Sequence, residues 1–208
     1  MIEQRIKDQF PTVFITLVSV LIGLALSDLV SEARAHMALW PLNLTALRTW
    51  AQIFSNGTSA VVVWIVFSHV GIARRRVPDL FDSLIAFGPP LLLLSANSFV
   101  GQKEIWPWFY NASAYLAVCA VTSYLHVRLA LHEPGLETLR GLLKWSGHLG
   151  WLLSGIVLFG VAAWLDQHGY LSPETEAIIA ALPIPSAFLV AYIFMRDWRT
   201  GVTIEGLA

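Results

Sequence analysis

Residues 11–33 read PTVFITLVSVLIGLALSDLVSEA, an apolar run with acidic side chains only near its end. A helix needs about 20 residues to cross the hydrocarbon core of a bilayer, and this run has that length. Five further runs of comparable length follow, at residues 58–73, 81–100, 106–126, 145–165 and 177–195. Apolar residues make up 56% of the 208 positions and charged residues only 13%, a balance outside the range of ordinary globular domains. The runs therefore predict an all-α integral membrane protein, a bundle of six transmembrane helices.

Two further features of the runs support helices in one domain. The runs do not alternate polar and apolar residues, as the strands of a membrane barrel do, and backbone groups in hydrocarbon need the internal partners that a helix supplies. Six spans leave only short connections and tails, so we expect residues 1–208 to form a single six-span domain. The first run is longer than the core of a cleavable signal, so we interpret it as a retained span. Cys119 is the only cysteine and is typical of a small packing residue.

Basic residues are distributed unevenly between the two sides of the predicted bundle. With a cytoplasmic N-terminus, ten of the 13 lysines and arginines lie on the cytoplasmic side. These are Arg5, Lys7, Arg74, Arg75, Arg76, Arg128, Arg140, Lys144, Arg196 and Arg199. Only Arg34, Arg48 and Lys103 lie outside. Because cytoplasmic loops carry an excess of basic residues, both termini are predicted to be cytoplasmic. We expect a multi-pass protein of the cell membrane, in a bacterium the cytoplasmic membrane.

The connection at residues 35–57 is the longest outer segment. Apolar residues recur there at helical spacing, and a second face collects the polar residues Arg48, Gln52, Ser55, Asn56 and Ser59. The segment is predicted either to lie along the outer interface or to extend the second span outward. Its polar face is predicted to be solvated; the alternative is that the face continues downward and lines a cavity.

Prolines interrupt two of the predicted spans at comparable positions. Gly88, Pro89 and Pro90 lie in the third span, and Pro183 and Pro185 lie in the sixth. A proline removes one backbone donor and crowds the preceding turn, so spans three and six are predicted to be kinked. The matching positions also suggest a 3+3 inverted repeat of residues 1–100 and 101–208, an arrangement that many transporters use. Simple packing kinks are the alternative.

Four polar side chains share a depth near the outer ends of the first four spans. Asp28 lies about one turn below the end of the first span, and Asn56, Asn97 and Asn111 lie at similar levels. An ionised carboxylate at membrane depth is unfavourable unless it is paired or hydrated. These residues therefore predict a polar outer vestibule that belongs to a transport pathway. Alternatively, Asp28 pairs with Arg34 or Arg48 and the asparagines form interhelical hydrogen bonds.

Histidines suggest a different use of the bundle. His69, His126 and His148 are predicted at one depth near the inner side, and two facing imidazoles can ligate a haem iron. No haem attachment motif accompanies them, and interfacial histidines are the commoner explanation. No two of them are paired closely on one helix as a metal site would require, so we expect no metal and no cofactor.

In architecture, six short spans with both ends inside resemble bacterial relatives of the lysosomal potassium channel. That family has a Phe-Ser-Asp-Gly signature at the start of its first helix. This chain has Leu26-Ser27-Asp28-Leu29 near the outer end of that helix. No residue role is therefore transferred from the family.

Three functions fit these patterns. The first is an oligomeric ion channel or a small-solute carrier with a polar outer vestibule. The second is a non-catalytic membrane subunit or scaffold of a larger complex, and the third is a haem-binding electron-transfer subunit. No catalytic, phosphate-binding or nucleotide motif is present, so we expect no enzyme and no nucleic-acid partner. The expected partners are the lipid bilayer and either further copies of this chain or other membrane subunits.

Overall fold

The computed structural model describes residues 2–36, 43–73, 80–130 and 146–204. Side chains are described over residues 9–36, 43–69, 87–125 and 150–193, and at residues 195 and 196. Within these ranges the chain forms helices and short connections and contains no strand. The helices are α1 (Ile2–His36), α2 (Leu44–Ala73), α3 (Leu80–Asn97), α4 (Trp106–Ala130), α5 (Ser146–Gln167), α6 (Pro173–Ala181) and α7 (Pro183–Ile204).

The prediction of an all-helical bundle is confirmed, and the described residues include four stretches suited to crossing a membrane. They are Gln9–His36, Leu44–His69, Gly150–Gln167 and Pro173–Ile193, each long and apolar enough for that role. The other two predicted spans coincide with α3 and α4, which pack against each other and against the remaining bundle. The count of six spans stays a prediction.

Helix α2 begins much earlier than the apolar run that predicted it. Asn43 precedes the helix, and its Oδ1 accepts a hydrogen bond of 2.8 Å from the backbone N–H of Ala46, as a capping side chain does. The helix then continues for 30 residues to Ala73. Of the two predictions for this segment, an extension of the helix of the second predicted span is the one found, and the outward direction stays a prediction.

The polar face of the early part of α2 is buried. Arg48, Gln52, Ser55 and Asn56 expose at most 9% of their surface, so the prediction of a solvated face is wrong there. The physical reason is that α6 and residues 98–105 cover this face and supply its hydrogen-bond partners. We call the end of the bundle that carries α6 and residues 98–105 the α6 end.

The two proline clusters have different effects on the helices. Helix α3 continues from Leu80 to Asn97 through Pro89 and Pro90. The sixth predicted span, in contrast, consists of two helices, because α6 ends at Ala181 and α7 begins at Pro183. Proline suits the first turn of a helix, where its missing N–H needs no partner, so this break follows from the sequence.

Among the described residues, three buried apolar clusters join the helices, and two of them are large. The first joins α1 to α2 and α3 through buried residues that include Phe14, Val18 and Phe67. The second joins α4 and α5 to α6 and the early part of α2, and its largest members are Trp108 and Phe109. Trp64, which lies inside the second span, is 45% exposed and donates a hydrogen bond of 3.0 Å to Ser19 Oγ on α1.

Candidate functional site: an elongated cavity in the bundle

A cavity of about 540 Å³ lies between α2, α3, α4, α5 and α7. On α4 its wall extends from Trp108 to Ser123, which is about 22 Å at the rise of 1.5 Å per residue. The hydrocarbon core of a bilayer is about 30 Å thick, so the cavity is long enough to cover most of that depth. Its volume is within the range of about 300–1,000 Å³ that small-molecule sites occupy.

The wall is largely apolar and carries one continuous polar line. Asn111, Tyr115, Cys119, Thr122 and Ser123 all lie on α4 and line the cavity. Their spacing of about four residues places them on one face of the helix. We call these five residues the α4 polar stripe. Among the described side chains that line the cavity there is no Asp, Glu, Lys or Arg. The arrangement suits an uncharged occupant with a small hydrogen-bonding part.

The α4 polar stripe is connected to the facing side of α2. The side chain of Tyr115 lies near Ser59 on α2 and near Cys119 one turn further along α4. Ser55, Asn56 and Ser59 line the cavity from α2. The lower part of the predicted polar face of α2 thus lines a cavity, as the alternative interpretation of that face expects.

Asn111 is incompletely paired. Its Nδ2 donates a hydrogen bond of 2.9 Å to Ser95 Oγ on α3, but its Oδ1 is buried with no hydrogen-bond partner among the described residues. A buried acceptor without a partner costs about 1–3 kcal/mol, so native structures normally satisfy it. Asn111 also lines the cavity, but its Oδ1 atom has almost no accessible surface.

Asn56 and Asn97, in contrast, are fully used between helices. Asn56 Nδ2 donates to Asn97 Oδ1 at 3.0 Å, and Asn56 Oδ1 accepts from Trp108 Nε1 at 3.2 Å. Asn97 Nδ2 donates to the Ala25 carbonyl on α1 at 2.8 Å. These bonds tie α1, α2, α3 and α4 together, which is the interhelical role that the sequence offered as an alternative for the asparagines.

A buried ion pair lies at the α6 end of the bundle. Arg48 Nη1 donates to Glu176 Oε2 on α6 at 2.7 Å, and both residues are at least nine-tenths buried. Arg48 Nη2 donates to the carbonyls of Gln102 and Lys103, at 2.8 and 3.2 Å. One side chain of α2 thereby fixes both α6 and the α3–α4 connection.

Further polar contacts also join the helices at the α6 end. Asp166 on α5 lies near the Glu176 carboxylate, the charge of Arg48 and the backbone of Trp106. Gln52 Oε1 accepts a hydrogen bond of 3.0 Å from the backbone N–H of Gly101, which has the positive φ of 69° that glycine adopts readily. Ser55 Oγ donates to the Ala180 carbonyl on α6.

The structure separates Asp28 from the other predicted pathway residues. Asp28 is half-buried on α1 and does not line the cavity. Within the described part of the chain it forms no ion pair. Arg48, one of its two predicted partners, is instead paired with Glu176. Of the predicted pathway residues, Asn56 and Asn111 line the cavity, while Asn97 is buried behind its wall.

Only part of the histidine hypothesis falls on described side chains. His69 Nδ1 donates to the Ile65 carbonyl at 2.7 Å. His126 and His148 lie in α4 and α5, but their side chains are outside the described residues. The haem site therefore stays a prediction. Among the residues that the structure describes, no group of three His, Cys, Asp or Glu is arranged to hold a metal ion.

The sequence interpretation missed Tyr115 and treated Cys119 only as a packing residue. Their signal was present as a polar or polarisable side chain at every turn of an otherwise apolar helix, from Asn111 to Ser123. That pattern alone did not show which helices face α4.

Comparisons of the chain with protein families, with curated proteins and with solved structures find no match. The cavity and the residues around it are therefore the basis for a functional assignment.

Proposed function

We propose that this chain is a small membrane carrier that binds an elongated, uncharged solute in the cavity between its helices. The observation that carries the proposal is the cavity wall, which is largely apolar and carries a small number of polar side chains, chiefly the α4 polar stripe and Ser55, Asn56 and Ser59 of α2. Ligand sites in proteins typically combine such an apolar lining with a few polar groups that fix orientation. Four stretches suited to crossing a membrane support a location in the bilayer.

The proposal includes the finer topology predicted from the sequence. All six long helices span the membrane, both termini are cytoplasmic and the α6 end is external. The excess of basic residues on the cytoplasmic side supports this orientation. In the 3+3 repeat, the prolines of α3 correspond to the break between α6 and α7. Pro183 and Pro185 line the cavity, which supports a role for this break in solute binding.

Within the first predicted function, the cavity favours a carrier over an ion channel. Ion pathways present rings of carbonyls or charged side chains that replace the hydration shell of the ion. The described wall of this cavity has no charged side chain, and its volume is enclosed by helices of one chain. An oligomeric channel that uses Asp28 remains a separate prediction, since Asp28 lies away from this cavity.

The test compares two substitutions on the same helix. Ala112 lines the cavity, whereas Ala114 is exposed on the other side of α4. Ala112→Phe fills the cavity, and Ala114→Phe adds the same ring to the lipid-facing surface. The protein is purified in mild detergent, bound molecules are extracted, and the extract is analysed by mass spectrometry.

We expect the wild type and Ala114→Phe to retain the same solute and Ala112→Phe to lose most of it. Thermal unfolding of each variant checks that the chain is folded. Equal retention by Ala112→Phe, or no retained molecule in the wild type, would contradict the proposal. Fixed co-purification with other membrane proteins, without a retained solute, would favour the subunit or scaffold instead.

A further inference from the structure

We infer that α6 is a proton-sensitive gate at one end of the bundle, held shut by Arg48 and loosened when Asp166 and Glu176 are both ionised. Such a gate controls access to the interior, whatever molecule the cavity holds. Three features support it. The backbone is interrupted on both sides of α6, the apolar contact of α6 with the bundle is shallow, and two acidic side chains lie beside one buried guanidinium.

The helical backbone is interrupted at both ends of α6. Between α5 and α6 the chain turns at Gly169, which has a φ of 74°, a conformation that glycine adopts readily. Between α6 and α7 lie Pro183 and Pro185, which have no backbone N–H. The carbonyls of Ile179 and Ala181 therefore lack the donor that a continuous helix would supply four residues later. Joints on both sides allow α6 to move as a unit.

The apolar contact between α6 and the rest of the bundle is shallow. The buried residues of α6 are Glu176, Ala177 and Ala180, and Ile179 is partly buried beside them. An alanine side chain is a single methyl group, so the two alanines bury little apolar surface. The ion pair with Arg48, at 2.7 Å and charged on both sides, is therefore a main contribution to the docked position of α6.

Three ionisable groups meet where α6 lies on the bundle. Arg48 comes from α2, Asp166 from α5 and Glu176 from α6, and Asp166 lies near the other two. Arg48 Nη1 bonds to Glu176 and Nη2 to two backbone carbonyls, while Nε is buried with no partner among the described residues. The guanidinium thus pairs directly with only one of the two acids. When both acids are ionised, the cluster has one negative charge in excess and the carboxylates repel each other.

A single proton shared by the two acids removes this repulsion. A protonated carboxyl group donates a hydrogen bond to an ionised one, so protonated Asp166 supports Glu176 instead of opposing it. Glu176 then keeps its ion pair with Arg48, and α6 stays docked. When the proton leaves, Asp166 repels Glu176 and competes for Arg48. The docked state binds the proton more tightly than a state with the acids apart, so α6 should loosen as the pH rises.

The other described charged groups near α6 are exposed or distant. Glu174 of α6 and both Lys103 and Glu104 of the α3–α4 connection are exposed, and water screens such charges. Arg196 of α7 lies towards the opposite end of that helix. His168, two residues after Asp166, is exposed and stacks with neighbouring aromatic rings. Because histidine side chains commonly change charge in the same pH range, His168 requires a control.

Movement of α6 would uncover one end of the cavity. Ser55 lines the cavity and donates a hydrogen bond to the Ala180 carbonyl of α6. Leu182 and Pro183, at the joint between α6 and α7, also line the cavity. A displaced α6 breaks the first contact and moves the second part of the wall. The charge state of Asp166 and Glu176 thereby controls access to the cavity from this end.

The experiment measures how often α6 leaves the bundle. Ala177 is buried on α6, whereas the adjacent Ile178 is 64% exposed. Each is replaced by cysteine in a Cys119→Ser background, and modification of the full chain by a water-soluble methanethiosulfonate is timed at about pH 5.5 and about pH 8. The rate for Ala177→Cys divided by that for Ile178→Cys corrects for the pH dependence of thiols and follows the open population. Ala163→Cys, buried on α5, should stay unreactive, which distinguishes movement of α6 from unfolding.

We expect the ratio to increase by about 3- to 10-fold from the lower to the higher pH, the effect of one hydrogen bond between the two acids. Asp166→Asn keeps a neutral donor beside Glu176, so its ratio should stay low at both pH values. Glu176→Gln lacks both the repulsion and the ion pair, so its ratio should be high at both. His168→Gln should behave as the wild type does.

Three results would overturn the gate. A ratio that does not change with pH in the wild type would exclude control by protons. An increase in Asp166→Asn as large as in the wild type, or loss of the increase in His168→Gln alone, would exclude the acid pair as the sensor. A ratio equally low in the wild type and in Glu176→Gln would show that α6 is a fixed part of the fold. The assay needs no bound solute, so its outcome is separate from that of the carrier proposal.

Discussion

Replacement of Arg48 by methionine should destabilise the folded bundle more than any single loss of an exposed charge. Arg48 is 9% exposed and its partner Glu176 is 7% exposed, with 2.7 Å between Nη1 and Oε2. Removal of one partner from a buried ion pair leaves the other charge uncompensated and typically costs about 3–5 kcal/mol. The two hydrogen bonds to the carbonyls of Gln102 and Lys103 are lost as well, at about 1 kcal/mol each.

Substitution of Glu176, the partner of Arg48, tests the same ion pair from its other side. In Glu176→Gln, Arg48 keeps its carbonyl partners and still interacts with the nearby carboxylate of Asp166. The loss should therefore be smaller than in Arg48→Met. The double variant Arg48→Met/Glu176→Leu contains neither charge, so it should recover the part of the loss that came from an isolated carboxylate. About 2 kcal/mol should remain, which corresponds to the two lost carbonyl bonds.

The assay is thermal unfolding in detergent, followed by near-ultraviolet circular dichroism. For a chain of this length about 1 kcal/mol shifts the midpoint by roughly 2–4 °C, so a total loss of about 5–7 kcal/mol predicts a decrease of roughly 10–28 °C for Arg48→Met. Arg34→Met is the matched control, because Arg34 is exposed and should change the midpoint little. If the double variant loses as much as the two single variants together, the Arg48–Glu176 pair does not stabilise the fold and the reasoning is refuted.

Three further predictions concern packing, ion flux and topology. Gly88→Ala should lower the unfolding midpoint, because the added Cβ lies 2.9 Å from Val118 Cγ1, whereas Gly23→Ala meets nothing within 4 Å and should not. A higher midpoint for Gly88→Ala would contradict the close packing of α3 on α4. Asp28→Asn should leave solute retention unchanged, because Asp28 does not line the cavity. If wild-type vesicles conduct cations and this variant conducts fewer, the separate channel prediction gains support. A reporter fused to the C-terminus should be cytoplasmic and one inserted after Gln167 external; the reverse result would contradict the charge argument.

The helices of this fold were predictable because their cause is local. Apolar runs of membrane length and the absence of alternation are properties of consecutive residues, and each of the six runs coincides over most of its length with helical chain. The break at Leu182 was also visible, since Pro183 can begin a helix but cannot continue one without the loss of a bond. Pro89 and Pro90 carry the same local signal yet lie inside a continuous helix.

The polar contacts were much less predictable, because their partners are distant in the chain. Arg48 and Glu176 are separated by 128 positions, and Asp28 was an equally plausible partner for Arg48 on depth alone. The polar face of α2 was predicted to be solvated because most polar faces are. Its burial follows from α6 and residues 98–105, which cover it. A short segment of the chain thus determines the environment of a helix that precedes it by more than a hundred residues.

The hydrogen-bond partners of Asn56 and Asn111 could be determined only from the three-dimensional structure. Both are asparagines at similar predicted depth in apolar helices, and the sequence assigns them the same role. In the structure, Asn56 is satisfied on both sides of its amide by Asn97 and Trp108, whereas Asn111 keeps a buried oxygen with no partner. The first residue therefore contributes two side-chain hydrogen bonds to the fold, and the second contributes one, to Ser95. Loss of the Asn56 side chain should lower the unfolding midpoint more than loss of the Asn111 side chain.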